Sequence, residues 1–314
     1  MNKTYQWKSS GIILERKISH SHDYDPALLE RMLFKVSKRW IAGYSSTEAI
    51  AEARKSNQNG MSAILNYLGE GNTEDSQIDS SVLEYYTLLD LLKTNNIRGS
   101  ISVKPTQIGL SVGYDVCLEN FKKISEKAKH SGHFMWIDIE NSDFVEDTLS
   151  IYLEILRKNR NAGVAIQSYL RRSHSDLLHL MENSANIRIV KGAYSEDKNE
   201  AYQSNNETTQ NFSRLMKVIL KEESYKGIVA IATHDSNLID EALSLSSKGS
   251  KRTKNLQFQL LKGIRDELKQ QLVKNGYVVL EYIPYGEKWL QYSLRRIRER
   301  KRNIFLLARS LIES

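Results

Sequence analysis

A single cysteine, Cys117, stands in 314 residues, so no disulfide can close within the chain and no thiolate cluster can hold a metal. That usage fits a reducing cytoplasm. Prolines are scarce too, at Pro26, Pro105 and Pro284 only. With no Gly/Ser-rich stretch, the chain lacks the material of a flexible interdomain linker. No apolar run approaches the roughly 18 residues of a membrane span. The polar stretch Met1 to Ser10 lacks the apolar centre of a secretory signal. No GxGxxG or GxxxxGK[ST] follows a strand-like run, which excludes the dinucleotide fingerprint and the P-loop. HExxH and paired-cysteine spacings are missing. His20, His22, His130, His133, His174 and His179 show no ligand pattern.

What is present suits one globular unit. Hydrophobic residues make up 40%, enough for a sizeable core. The net charge of +7 comes from 45 basic and 38 acidic residues, mostly interspersed. Its one dense basic run lies at Arg295 to Arg302. Residues 1–314 therefore read as a single domain, a helical region over about 1–59 and the main body over 60–314.

Helical spacing runs through Leu28, Leu29, Met32, Leu33 and Val36, then Ala49, Ile50 and Ala53, and Gly60 ends it. Short apolar runs then alternate with amphipathic stretches. Strands are expected at Met61–Leu68, Ser100–Lys104, Phe134–Ile139, Val164–Ser168, Ile187–Lys191, Ile228–Thr233, Leu256–Leu260 and Val278–Ile283. Helical patterns fall between them at Val82–Leu92, Cys117–His130, Val145–Arg157, Ser175–Asn183, Thr208–Glu222, Leu238–Ser246 and Gly263–Lys274. Parallel neighbours need crossover helices, so the alternation predicts a parallel sheet, and eight units point to a closed α/β barrel. The N-terminal helices precede its first strand.

Barrel enzymes place their chemistry at strand C-termini. Here those ends carry Lys104, Asp138 and Glu140, Gln167, Arg188 with Lys191 and Tyr194, Thr233-His234-Asp235, and Tyr282. Singly, each reads more readily as a cap or a satisfied structural group; together they outline a site. The last stretch, Tyr285 to Glu299, adds Tyr292, Arg295, Arg296 and Glu299, spaced to share one helix face. Two guanidinium forks beside a carboxylate suit a zwitterion, although a solvated basic face with internal ion pairs gives the same spacing. Met135 and Phe212 read as core.

At these residues the chain resembles the monofunctional proline dehydrogenase family. The matching stretches are RWIAG (Arg39–Gly43), GMSAILNYLGE (Gly60–Glu70), SVKPTQIGL (Ser102–Leu110), WIDIENS (Trp136–Ser142) and QSYLR (Gln167–Arg171). They continue as RIVKGAY (Arg188–Tyr194), THD (Thr233–Asp235), QFQLLKG (Gln257–Gly263) and YIPYGEKWLQYSLRRIRE (Tyr282–Glu299). The resemblance is collinear from about 30 to 305; RIVKGAY and the last string are its specific parts. Pro105 and Ile139–Asn141 depart from the pattern.

The resemblance implies a distorted (β/α)8 TIM barrel holding FAD and oxidising L-proline to Δ1-pyrroline-5-carboxylate. By matching positions, Arg295, Arg296 and Lys104 would bind the substrate carboxylate, with Tyr282 and Leu261 over the ring. Glu299 would pair with one of the arginines. Asp138 would hold Lys104 or sit beside the substrate nitrogen. Arg188 would hydrogen-bond near flavin N5, and Ile139 would contribute through its place next to Asp138. Gln167, Lys191, Gly192, Ala193, Thr233 and His234 would cradle the rest of the cofactor. A quinone acceptor is implied, hence a cytoplasmic protein able to sit peripherally at the inner face of the cell membrane. Ile304–Ile312 is a candidate apolar face for that contact, or a last helix packed on the barrel. Two other readings compete: a cofactor-free barrel aldolase using Lys104 or Lys191 as a Schiff base, and a nucleic-acid binder resting on RRIRERKR. Neither explains the collinear motifs, and no nucleic-acid partner is expected.

Overall fold

The structure, a computed structural model, describes residues 26–246 and 255–298. Helices α1 (Pro26–Ser37) and α2 (Ser46–Gln58) come first. Ser45 caps α2 in a reciprocal box with Glu48, so the helical stretch expected over 25–59 is broken by a capped restart.

Eight strands follow: β1 (Ser62–Tyr67), β2 (Gly99–Val103), β3 (Phe134–Ile137), β4 (Ala162–Gln167), β5 (Ile187–Val190), β6 (Val229–Ala232), β7 (Leu256–Leu261) and β8 (Val278–Tyr285). Each pairs in parallel with the next, and β1 closes on β8 in the register Ser62↔Leu280 to Tyr67↔Tyr285. The crossovers are α3 (Asp75–Thr94), α4 (Tyr114–Ser131), α5 (Val145–Lys158), α6 (Ser173–Glu182), α7 (Asn205–Lys221), α8 (Ser236–Ser246) and α9 (Asp266–Lys274). A last helix, α10 (Trp289–Arg298), follows β8.

All eight expected strands are present, with shifted ends. β3 stops at Ile137, which leaves Asp138 and Ile139 in the loop above the barrel. β8 runs on to Tyr285, so the closing helix begins at Trp289 rather than Tyr285. α3 starts at Asp75 rather than Val82, because its polar first turns bury little besides Ile78 and Ser81.

The distortion lies in where the outer helices go. α2, which precedes the barrel, packs on β1 and β8 and so fills the outer position next to the closing seam. α10 is thereby free to leave the barrel wall and packs on α1. A separate apolar cluster makes that joint: Trp40, Ile41, Leu68, Trp289 and Tyr292, with Leu33, Phe34 and Val36 against it. Phe34 meets Trp289 edge-on at 5.0 Å, and Trp40 Nε1 donates to Ser293 Oγ at 3.1 Å. Each large side chain buried this way stabilises the joint by about 1.5–3 kcal/mol.

The main core lies between sheet and helices. Inside the barrel a small plug of Ile64, Trp136, Ala230 and Leu280 fills the lower lumen. Polar side chains occupy the level above it. Among the described residues no helix is long and apolar enough to cross a membrane, and no group of three His, Cys, Asp or Glu could hold a metal.

Candidate active site

The mouth at the strand C-termini opens into a cavity of about 800 Å³, roofed by α10. Its deepest charged group is Arg188, on β5 between Ala165 of β4 and Ala230 of β6. Those small neighbours leave room for the guanidinium to run into the lumen. It lies over the Trp136 ring, 4.5 Å from the centroid, a cation–π contact with the plug beneath.

Three polar side chains fix it. Nε donates to Gln259 Oε1 at 2.7 Å, and Nη1 donates to Asp138 Oδ1 at 2.7 Å and to Ser102 Oγ at 3.0 Å. Ser102 in turn donates to Asp138 Oδ1 at 2.7 Å, and the Tyr282 hydroxyl to Asp138 Oδ2 at 2.8 Å. Nη2 is buried with no partner among the described residues. Burial pulls the proton affinity of Arg188 down, and the Asp138 carboxylate works against that fall. The sequence left Asp138 either beside the substrate nitrogen or holding Lys104; what it holds here is Arg188, Ser102 and Tyr282.

Lys104 follows β2, where Pro105 ends the strand and opens a short 3-10 turn (Pro105–Ile108). Its Nζ donates to the Tyr194 hydroxyl at 2.9 Å and lies 3.4 Å from Glu70 Oε2, to which Tyr194 also donates at 3.1 Å. Burial disfavours the charged form of Lys104, but Tyr194, Glu140, Asp138 and Glu70 outweigh it and raise the proton affinity. Tyr194 itself is pushed up to about 12, first by burial, with Lys104 opposing. Glu140 braces the turn from below, accepting from the Thr106 N–H at 2.8 Å and the Thr106 hydroxyl at 2.7 Å. Burial raises its proton affinity despite Lys104 and these donors.

The opposite wall comes from β4 to β7. Gln167 donates through Nε2 to the Ile139 and Glu140 carbonyls at 3.1 and 2.9 Å, which leaves its buried Oε1 without a partner among the described residues. Lys191 Nζ donates to Thr209 Oγ1 at 2.9 Å and Asp235 Oδ2 at 3.0 Å. At Gly192, φ is +114°, and a Cβ would stand 2.1 Å from the Tyr169 ring, so only glycine fits. His234 Nε2 accepts from the Leu261 N–H at 3.0 Å, which puts the proton of the neutral ring on Nδ1. Leu261 pairs with Tyr282 across β7 and β8, so the two stand side by side.

Of the described residues read from the sequence, Lys104, Asp138, Ile139, Gln167, Arg188, Lys191, Gly192, Ala193, Thr233, His234, Leu261, Tyr282 and Arg296 line this one cavity, and Glu140 does not. Arg295 belongs to α10 by its backbone. Glu299 to Arg302, the second half of the basic run, and Ile304–Ile312 lie outside the described residues. Sequence reasoning missed Asn66, Ser102, Gln259, Lys288 and Gln291. Alternation gave a usable signal for two of them: Ser102 shares strand parity with Lys104, and Gln259 with Leu261. The Schiff-base reading loses its nucleophile, since Lys104 is held as an ammonium and Lys191 is engaged by Asp235.

The family model described as proline dehydrogenase matches residues 49–306. Proline dehydrogenase 1 of Bacillus subtilis (strain 168) is 30% identical over 277 residues, covering 88% of this chain and 91% of that protein. Proline dehydrogenase of Deinococcus radiodurans is 31% identical over 291 residues, covering 91% and 93%. Among solved structures, proline utilization A from Bdellovibrio bacteriovorus, inactivated by N-propargylglycine, superposes with a TM-score of 0.81 at 22% identity. That likeness concerns the fold; it covers 87% of this chain but only 33% of the larger protein. With the family match spanning most of its length and the motif residues gathered in one cavity, this chain belongs to the proline dehydrogenase family.

Proposed function

We propose that this protein catalyses the first step of proline catabolism, oxidising L-proline to Δ1-pyrroline-5-carboxylate in the cavity under α10. Family membership supports the coarser statement, a flavoprotein oxidoreductase acting on proline. The observation that carries the finer reading is the buried Arg188–Asp138–Tyr282 cluster, set in one cavity with Lys104 and Arg296.

The residues present fit a flavin. The open Arg188 Nη2 is a donor and the open Gln167 Oε1 an acceptor, both buried in the cavity wall, as a ring with acceptor and donor edges requires. Gly192 lets a bulky group approach the backbone, and Lys191 supplies a cation for a phosphate. Arg188, Gln167, Ile139, Lys191, Gly192, Ala193, Thr233 and His234 would hold it. Bound FAD would supply the redox chemistry, taking a hydride from proline C5 at N5 and passing the electrons to a quinone-type acceptor.

The chain's own side chains do the rest. Arg295, Arg296 and Lys104 clamp the proline carboxylate and so fix which ring carbon points inward. Tyr282 and Leu261 cover the ring and exclude water. The same cations lower the proton affinity of the proline nitrogen and favour the neutral amine that hydride loss requires. Peripheral contact with a membrane would bring the acceptor to the site.

The test is an absorption spectrum of the purified protein followed by anaerobic L-proline. Flavin bands that bleach support the reading. Bands that persist exclude proline as the donor, and colourless protein that cannot be reconstituted with FAD defeats the cofactor assignment.

A further inference from the structure

Gln259 stands on β7 facing the lumen and is 4% exposed; Arg188 beside it is 3% exposed. Its Oε1 takes the Arg188 Nε–H at 2.7 Å. Its Nε2 lies 3.4 Å from Gln257 Oε1, which fixes which way the amide is turned. Asp138 and Ser102 hold Nη1 from the other side of the barrel. A planar guanidinium gripped at Nε and at Nη1 has no freedom left about its last torsion. The only nitrogen without a partner among the described residues is then Nη2.

Resting on the flavin reading above, we infer that Gln259 is a positioning residue: it locks the Arg188 fork so that Nη2 is the donor presented to the redox ring, and it thereby sets that ring's reduction potential. A fixed cationic donor stabilises the electron-rich reduced form more than the oxidised form, and it does so most when it need not reorient. Without an acceptor at Nε, the planar group is anchored at Nη1 alone and can pivot there through small changes in the side-chain torsions. Nε and Nη2 then compete for the same acceptors, and the charge is no longer aimed. Gln259 touches no reacting atom in this scheme; it acts through Arg188. That separates it from a side chain that merely fills space under the cavity.

The test is a double-mutant cycle read on the midpoint potential of the bound flavin, without proline turnover. Gln259→Met keeps length and apolar volume but removes the acceptor. In the otherwise native protein it should shift the oxidised-to-reduced equilibrium at least tenfold toward oxidised, a potential about 30 mV lower for a two-electron couple. In an Arg188→Met background the same change should move the equilibrium less than twofold. An unmoved potential in Gln259→Met overturns the inference, as does an equal shift in both backgrounds. If Gln259→Met folds without retaining flavin, Gln259→Glu, which keeps an oxygen for Nε, should restore retention; failure there also overturns it. Native protein that holds no flavin would defeat the cofactor reading itself, before any variant is compared.

Discussion

Replacing Asp138 by asparagine tests the central charge pair with almost no change of shape. Asp138 accepts three hydrogen bonds, two on Oδ1 from Arg188 and Ser102 and one on Oδ2 from Tyr282. The asparagine oxygen can keep the first two without the carboxylate's charge, but its amide nitrogen cannot accept from Tyr282. Charge-assisted hydrogen bonds are roughly twice as strong as neutral ones, about 1.5–3 against 0.5–1.5 kcal/mol. Weakening two by about 1 kcal/mol each and losing one of about 1.5–3 amounts to about 3.5–5 kcal/mol, in line with unpairing a buried ion pair. If the pair chiefly orients Arg188 for the reaction, that becomes a fall in kcat/KM of about 10³-fold, at 1.36 kcal/mol per decade. The assay is steady-state proline oxidation with an artificial electron acceptor, beside a thermal melt and a flavin-content measurement. A drop below tenfold in kcat/KM with Tm unchanged would refute the reasoning, because the geometry would then not depend on the carboxylate's charge.

Three further outcomes are expected. Arg296→Lys loses the fork, so the KM for proline should rise at least tenfold while bound flavin stays constant; an unchanged KM would remove Arg296 from the carboxylate clamp. Gly192→Ala forces a Cβ into the Tyr169 ring at φ +114°, and flavin should be lost on gel filtration; full retention would mean the loop adapts. Burial holds the proton affinity of His133 below its usual value, with the Gly99 carbonyl opposing. A lowered folded pKa contributes stability that is present above the unfolded value, near 6.5, and lost as pH falls below it. Tm should therefore drop as pH is lowered from about 6.5 toward 5, and less so in His133→Gln; parallel Tm profiles would show that another group carries the effect.

Much of this was legible because barrel strands are short, apolar and spaced by amphipathic helices. All eight strands could be counted, and polar residues at most of their C-terminal ends marked the mouth. Strand ends were less legible. Nothing in FMWIDI tells that β3 ends at Ile137, since the Asp138 N–H still bonds to Val103 while its side chain meets Arg188 from another strand. The order of helices hid the main departure: α2 carries an ordinary apolar face, and its place at the β1–β8 seam depends on the closed barrel. Lumenal polar residues such as Gln259 and Ser102 read as ordinary strand residues, because their partners lie 71 and 86 positions from Arg188's end of each bond. Parity with Leu261 and Lys104 points them inward, but only the folded lumen says what they hold.

The Trp40–Ser293 hydrogen bond joins residues 253 positions apart. α10 carries Arg296 and roofs the cavity, yet its seat is a segment made before the first strand. A ribosome therefore releases the anchor before the barrel and the roof after it, with all eight strands threaded between. The β1–β8 seam spans almost as much chain, so once it closes the two segments are already neighbours and α10 can dock afterwards. The barrel can thus close while the carboxylate clamp is still missing, and competence to bind substrate arrives as a separate, final event of maturation. Removing α1 and replacing Trp40 would then yield a molecule that folds as a barrel and stays at that penultimate stage.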